Sequence, residues 1–127
     1  MIEGFETQTK KLNDYEKNVL LPIMVKCLKR KVGKENAITN AVMCEKMNER
    51  GYKISEARVR KIINHIRTNF LVPRLKASSC GYYVTNDEKD LKDYIASLKG
   101  REDAIRAMRH AVEEQLEELQ QSVHGLY

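Results

Sequence analysis

Apolar side chains recur at helical spacing through the first part of the chain, from Asn13 to Leu28. Asn13 and Glu16, three residues later, form a capping-box arrangement that predicts the start of a helix. Pro22 lies inside the pattern and has no backbone N–H to donate. We therefore expect a kinked helix, or a short lead-in followed by a second segment that begins near Leu21.

Two short helices follow, separated by a turn that begins with glycine. The first starts after Thr39 and stops at Gly51, and Ser55 caps the second, which extends to about Asn69. Two helices joined by so short a turn have the spacing of a helix-turn-helix.

After the third helix the period of the apolar positions changes from helical to alternating. Residues 71–77 predict a strand, with Pro73 restricting it to the edge of a sheet. Residues 78–81 predict a turn and residues 82–85 a returning strand. Strand alternation requires one of the two tyrosines in the second strand to face the core.

The rest of the chain predicts two helices. One runs from Asn86 or Asp87 to Gly100, and the other starts at Arg101 with apolar positions close to heptad spacing. We expect this last helix to pair with a second copy, with packing on the same chain or a frayed end as the alternatives. The residues expected in the homodimer contact are Ile105, Met108, Val112, Leu116 and Leu119.

Together these elements predict a mainly helical α+β fold with a small β-hairpin. The expected architecture is a winged helix-turn-helix with a long C-terminal helical extension. We expect one domain over residues 1–99, with its helix-turn-helix and wing at 36–85, and the extension over residues 100–127.

Charge is distributed unevenly along the 127 residues, whose formal net charge is +5. Residues 36–85 carry nine Lys and Arg and three Glu, a net charge of +6, whereas residues 86–127 carry a net charge of −4. A basic centre before an acidic tail indicates that the centre faces a polyanion. The alternative is an ordinary chain with uneven charge.

The third predicted helix has two different faces. Val59, Ile62, Ile63, Ile66 and Phe70 fall within an arc of about 100°, the width of a stripe that packs on a core. The opposite side carries Arg, Lys, Asn and Thr, with one carboxylate in the first turn. Arg and Lys neutralise phosphates, and Arg and Asn read base edges in the major groove. We therefore expect this helix to bind double-stranded DNA.

The residues expected to contact DNA lie on this helix and on the hairpin. The candidates for base contacts are Ser55, Glu56, Arg60, Lys61 and Asn64. The candidates for phosphate contacts on the helix are Arg58, Arg67 and Thr68. In the hairpin the candidates are Arg74, Lys76, Ser78 and Ser79.

The sequence has no Walker loop, GxGxxG, HExxH or GxSxG motif, so we expect no enzyme and no cofactor. Its three cysteines, Cys27, Cys44 and Cys80, form no CxxC pair, and its histidines have no metal-ligand spacing. We expect reduced thiols, no metal and a cytoplasmic location. No apolar run approaches the roughly 18 residues that span a bilayer, so we expect no membrane partner.

Two motifs resemble a known group of proteins. Residues 59–67 read VRKIINHIR and residues 78–83 read SSCGYY. In this respect the chain resembles small winged-helix DNA-binding proteins of phages and prophages, over about half its length, although Phe70 stands where glycine is usual. The resemblance implies a transcriptional regulator or accessory DNA-binding protein of a mobile element. The alternative is a protein-interaction module in a replication or regulatory assembly, since winged helices also bind proteins.

Overall fold

The structure, a computed structural model, describes residues 11–125. They contain four α-helices, two β-strands, a short π-helical stretch and one 3-10 turn, Lys34–Asn36. The chain divides into two compact units, Met1–Asp87 and Glu88–Tyr127. It is mainly helical with one small antiparallel sheet, which confirms the predicted α+β class.

The first helix is continuous, and its hydrogen-bond pattern changes just before Pro22. A π-helical stretch, Glu16–Leu20, runs directly into α1, Leu21–Lys29, and Pro22 lies in the first turn of α1. The Leu21 N–H donates to the carbonyl of Glu16, five residues earlier, as in a π-helix. The switch from π-helical to α-helical hydrogen bonds falls at Pro22. Since proline has no backbone N–H, this residue needs no hydrogen-bond acceptor there.

The next two helices, α2 (Asn40–Glu49) and α3 (Glu56–Thr68), confirm the predicted pair. The Thr39 hydroxyl accepts a hydrogen bond from the Val42 N–H at 3.1 Å and caps α2. At the other end of α2, Gly51 adopts a φ of +90°, the left-handed conformation that commonly ends a helix.

A single apolar core joins α1, α2, α3 and the hairpin. From α3 it takes the four residues that the helical period predicts. Its fully buried side chains are mainly aliphatic and methionine: Leu20, Met24, Leu28, Met43, Val59, Ile62, Ile63 and Ile66.

Phe70 was expected in this core, and that prediction is wrong, because its side chain is 79% exposed. Phe70 has a φ of +56° and follows the last turn of α3. The Leu71 N–H donates to the Ile66 carbonyl at 3.1 Å, a bond that closes the helix and reverses the chain. Phe70 therefore points to solvent, and Val72, beyond the reversal, is buried.

The hairpin consists of β1, Leu75–Ser78, and β2, Gly81–Val84, joined by a two-residue turn. The prediction that β1 begins at residue 71 is wrong, because residues 71–74 form turns and Arg74 adopts a φ of +62°. Tyr83 is buried and Tyr82 is half-buried, so at least one tyrosine is buried as predicted.

The segment before α2 pairs with the far side of β2. Ile38 and Tyr82 exchange backbone hydrogen bonds of 3.0 and 2.7 Å, and the Gly33 N–H donates to the Val84 carbonyl at 3.0 Å. Next to this bridge Gly81 has a φ of +115°. A Cβ on Gly81 would lie 2.5 Å from the Ile38 carbonyl, so the close approach of the two chains requires glycine here.

The second unit is a single helix of 38 residues, α4, Glu88–Gly125. The predicted break at Gly100 is wrong, since the helix continues through it and the Arg101 guanidinium donates to the Ser97 hydroxyl at 3.0 Å. Glycine costs a helix about 1 kcal/mol relative to alanine, which the flanking turns of strong helix formers outweigh. Within the described residues, no helix has both the length and the apolar character that crossing a bilayer needs.

We expect opposite effects from alanine at two glycines. Gly81→Ala should destabilise the protein by more than about 2 kcal/mol, because its Cβ meets the backbone of Ile38 and Thr39. Gly100→Ala should add about 1 kcal/mol of stability, because it lies inside α4 with no atom within 4 Å of the new Cβ. Thermal unfolding followed by circular dichroism measures both. A Gly81→Ala variant as stable as the wild type would contradict the bridge.

Candidate nucleic-acid interface

The surface that carries the candidate residues is organised by one buried carboxylate, Glu16. Glu16 is 2% exposed and completes the predicted capping box, because its Oε1 accepts the Asn13 N–H at 2.9 Å while the Glu16 N–H donates to Asn13 Oδ1 at 2.8 Å. Two cations of α3 reach the same carboxylate. Lys61 Nζ lies 2.7 Å from Oε1, and Arg58 Nε lies 3.0 Å from Oε2. Glu16 thus ties the start of the first helix to the side of α3.

These contacts correct the expected position of Lys61. The helical period placed it on the outward face, but its side chain is only 14% exposed and its ammonium group neutralises Glu16. Arg58 is a flanking residue, and its guanidinium lies 5.7 Å from the ring centre of Tyr15. Lys61 turns inward because its long stem reaches from the edge of the helix to a buried charge.

The environment of Glu16 shifts its acidity in two directions. Burial raises the pKa of Glu16, since a carboxylate is poorly solvated there. Hydrogen bonds from Lys61, from the Asn13 N–H and from Arg58, together with the charge of Lys61, lower the pKa by more. The net pKa of Glu16 lies below its ordinary value, so the group is ionised at neutral pH.

The outward face of α3 carries the remaining candidates. Arg60 is 45% exposed and lies 3.7 Å from Glu56, one turn earlier, in a loose surface ion pair. Thr68 is exposed, and its hydroxyl donates back to the Asn64 carbonyl at 2.9 Å. Arg67 is half-buried on the same side of the helix. Ser55 is the N-cap of α3, with its hydroxyl accepting the Arg58 N–H at 3.2 Å.

The hairpin candidates lie at different heights along the two strands. Arg74 is at the base, where its Nε donates to the Thr85 carbonyl at 3.1 Å and to Asn86 Oδ1 at 3.2 Å. Lys76 lies midway, with its ammonium 5.8 Å from the ring centre of Tyr83. Ser78 and Ser79 are at the tip.

Within the tip, the Ser78 hydroxyl donates to the Gly81 carbonyl at 2.8 Å and accepts the Cys80 N–H at 3.2 Å. This side chain therefore fixes the turn. Ser79 and Cys80 are exposed, and Cys80 is a free thiol.

The start of α2, the first turn of α3 and the hairpin tip meet around one hollow of about 310 Å³. Asn40 and Glu56 line it on one side, and Ser79 and Gly81 on the other. The Oδ1 of Asn40 is buried and has no hydrogen-bond partner among the described residues. The structure thus brings the predicted helix and the predicted wing to one surface.

A second basic surface lies elsewhere, in a groove between α1 and α2. Its volume is about 570 Å³, and its floor is apolar, formed by residues such as Ile23, Met43 and Met47. In the part of the chain that the structure describes, no ion pair or side-chain hydrogen bond involves the cations along this groove. These cations are Lys26, Arg30, Lys31, Lys46 and Arg50.

Two contacts that position the candidate surface are not evident from the sequence. Glu16 was recognised only as a helix cap, and its long-range pairing with α3 leaves no pattern in a single sequence. Asn48 holds the turn before α3, since its Nδ2 donates to the Ile54 carbonyl at 2.9 Å and to the Cys44 carbonyl at 2.8 Å. An asparagine in the last turn of a helix that precedes a tight turn is the feature that could have suggested this role.

Comparisons with known proteins add no identification. Neither protein-family models, nor curated proteins, nor solved structures give a match to this chain. Among the described residues, no three His, Cys, Asp or Glu side chains are grouped to hold a metal ion.

We expect the Glu16 cluster to control the acid sensitivity of the fold. Because the folded pKa lies below the unfolded one, Glu16 stabilises the protein above the ordinary glutamate range, and this contribution is lost as the pH falls through the folded pKa. Glu16→Gln should lower the free energy of unfolding by about 2 kcal/mol at neutral pH. The loss is smaller than for a fully buried pair because Arg58 and Lys61 reach solvent. The variant should also show a weaker fall in stability as the pH is lowered (a flatter acid limb). Urea unfolding at several pH values measures both effects.

The matched control for this experiment is Glu56→Gln, whose carboxylate is 51% exposed and only loosely paired. We expect it to stay within about 0.5 kcal/mol of the wild type, with the same acid limb. An acid limb in Glu16→Gln as steep as in the wild type would show that another group controls the acid sensitivity.

Proposed function

We propose that this protein binds double-stranded DNA as a winged helix-turn-helix, with α3 in the major groove and the hairpin as the wing. We assign it the role that the resemblance implies, that of a transcriptional regulator or accessory DNA-binding protein of a mobile element. The observation that carries the proposal is the outward face of α3, which presents Arg60, Asn64, Arg67 and Thr68 on a helix whose first turn shares a hollow with the hairpin tip.

The order of the elements supports the winged-helix assignment. Three helices are followed by a hairpin, and the segment before the second helix pairs with the second hairpin strand through Ile38 and Tyr82. A helix-turn-helix needs its second helix held rigidly while one face stays open. Four buried aliphatic residues of α3 provide that attachment, and Glu16 adds an ionic one.

The cations of α3 form two groups, which lie on different sides of the helix. Lys61 and Arg58 both pair with Glu16, which balances one of their two positive charges, and the Lys61 side chain is only 14% exposed. Arg60 and Arg67 lie on the other side, and the only carboxylate of α3 is Glu56. Cations in such a position release counterions from DNA, which makes the affinity fall with salt. We therefore assign phosphate or base contacts to Arg60 and Arg67, and no DNA contact to Lys61.

The test compares two double variants that remove the same charge from different surfaces. Arg60→Gln with Arg67→Gln alters the outward face of α3, and Lys46→Gln with Arg50→Gln alters the groove between α1 and α2. We expect the first to weaken binding to a mixed-sequence duplex by at least about tenfold. It should also reduce the slope of log affinity against log salt by up to about 2, at roughly 0.9 for each phosphate contact. Fluorescence anisotropy over a salt series gives both quantities.

The groove variant should bind DNA within about threefold of the wild type, because its lost charges lie away from α3. Equal losses in the two variants would mean that binding follows net charge rather than a defined face. Failure of the wild type to bind duplex at low salt would end the proposal.

The groove itself favours a second function, the binding of an acidic amphipathic helix in a regulatory or replication assembly. Its apolar floor and its rim of five cations complement such a partner in both shape and charge. A labelled helical peptide of Glu and Leu should then bind the wild type and the α3 variant, and not the groove variant. Equal binding of the peptide to all three proteins would contradict this second function.

A further inference from the structure

The second unit, α4, exposes a stripe of apolar side chains in strict register. Leu91, Leu98, Ile105, Val112 and Leu119 follow one another at intervals of seven residues. The last four are between 43% and 61% exposed. A seven-residue repeat sustained over this length is the pattern of a coiled coil, and we assign these residues to its a positions.

We propose that α4 pairs with α4 of a second copy as an antiparallel coiled coil centred near Ile105 and Met108. This goes beyond dimerisation through the last helix, because it fixes the orientation and the register. The proposal does not depend on DNA binding. It rests on the side chains beside the apolar column, which fit one orientation and not the other.

The d positions discriminate between the two orientations. They are occupied by Tyr94, Arg101, Met108, Gln115 and Ser122. In a parallel pair each d residue faces its own counterpart, so Arg101 would meet the partner's Arg101 in the core, which like charges oppose. In an antiparallel pair a residues face d residues. Arg101 then lies opposite the partner's Val112, where its stem packs and its charge reaches the edge.

The same register produces an apolar centre. Ile105 lies opposite the partner's Met108, and by symmetry Met108 lies opposite the partner's Ile105. Both side chains are more than 60% exposed in one chain, so the contact covers surface that is otherwise in water. Leu98 then covers the partner's Gln115, and Leu119 packs on the partner's Tyr94.

Charges that flank the seam agree with this register. Glu102 and Arg109 occupy e positions, and the antiparallel register places each beside the other residue of the partner, giving two symmetric ion pairs. In one chain Glu102 pairs with Arg106 at 3.1 Å and Arg109 with Glu113 at 2.9 Å. These exposed ion pairs within one chain are weak, so replacing them with ion pairs between the two chains costs little free energy. A parallel register would place Glu102 and Arg109 beside Ser97 and Ala104, which carry no charge.

The charge along the whole helix also favours the antiparallel pair. Residues 110–125 contain four glutamates and no Lys or Arg, whereas residues 88–109 contain six Lys and Arg and five acidic residues. Parallel helices would place the two acidic ends side by side. Antiparallel helices place each acidic end beside the mildly basic half of the partner. From a rise of 1.5 Å per residue, the Glu88 ends would lie about 55 Å apart.

The test is an exchange of charges in the full-length protein. In the proposed pair, Glu102→Arg places Arg beside the partner's Arg109 twice, and Arg109→Glu places Glu beside the partner's Glu102 twice. We expect each variant alone to raise the dimer dissociation constant at least about tenfold. In an equimolar mixture every contact is again Arg with Glu, so a heterodimer should form with nearly the wild-type constant. Sedimentation equilibrium measures all three, with circular dichroism confirming that α4 stays helical.

Lys92→Glu is the control, because Lys92 lies at a b position away from the seam and the substitution changes the charge by the same amount. It should dimerise as the wild type does. Undiminished dimerisation of both single variants, or a mixture that is no tighter than either, would overturn the antiparallel register. A wild-type protein that stays monomeric would overturn the pairing itself, whatever the result of the DNA experiments.

Discussion

The ion pairs of the Glu16 carboxylate determine where two of the cations of α3 lie in the first unit. The carboxylate is buried, it caps the start of the first helix through Asn13, and it takes both Arg58 and Lys61 from α3. A buried carboxylate without partners would be strongly destabilising, so the cations must lie where they do. Their placement fixes which side of α3 faces inward, in addition to the aliphatic stripe.

Because Arg58 and Lys61 pair with Glu16, the outward face of α3 carries fewer candidate DNA contacts than the sequence predicts. Arg60 and Arg67 are the other two arginines of α3, with Asn64 between them along the helix and Thr68 at its last position. The hairpin tip lies next to the first turn of α3, at Glu56, and the pairing of Ile38 with Tyr82 holds β2 close to the start of α2. One ionic cluster and one backbone bridge therefore position the surface to which we assign DNA binding.

Much of this arrangement could be predicted from the sequence, because it depends on local chemistry. The helix predicted to start after Thr39 does so, Ser55 caps the next helix as predicted, and the period of 3.6 identified the four buried residues of α3. The failures have non-local or competing causes. Lys61 turns inward to a charge 45 residues away in sequence, which helical periodicity does not register.

Two other failures concern the backbone. Phe70 continues the apolar stripe by position, but it lies beyond the helix end in a left-handed conformation that usually belongs to glycine. Gly100 was read as a stop, although one glycine does not end a helix whose turns on both sides are strongly helical.

The most direct measurement of the central claim is the change in backbone amide resonances of the labelled full-length protein as a short duplex is added. DNA binding through α3 predicts the largest changes at Arg60, Asn64 and Arg67 and at the hairpin tip, Ser79. The α1–α2 groove, represented by Lys26, should change little. Changes confined to that groove or to α4, with the outward face of α3 unaffected, would contradict the proposed function.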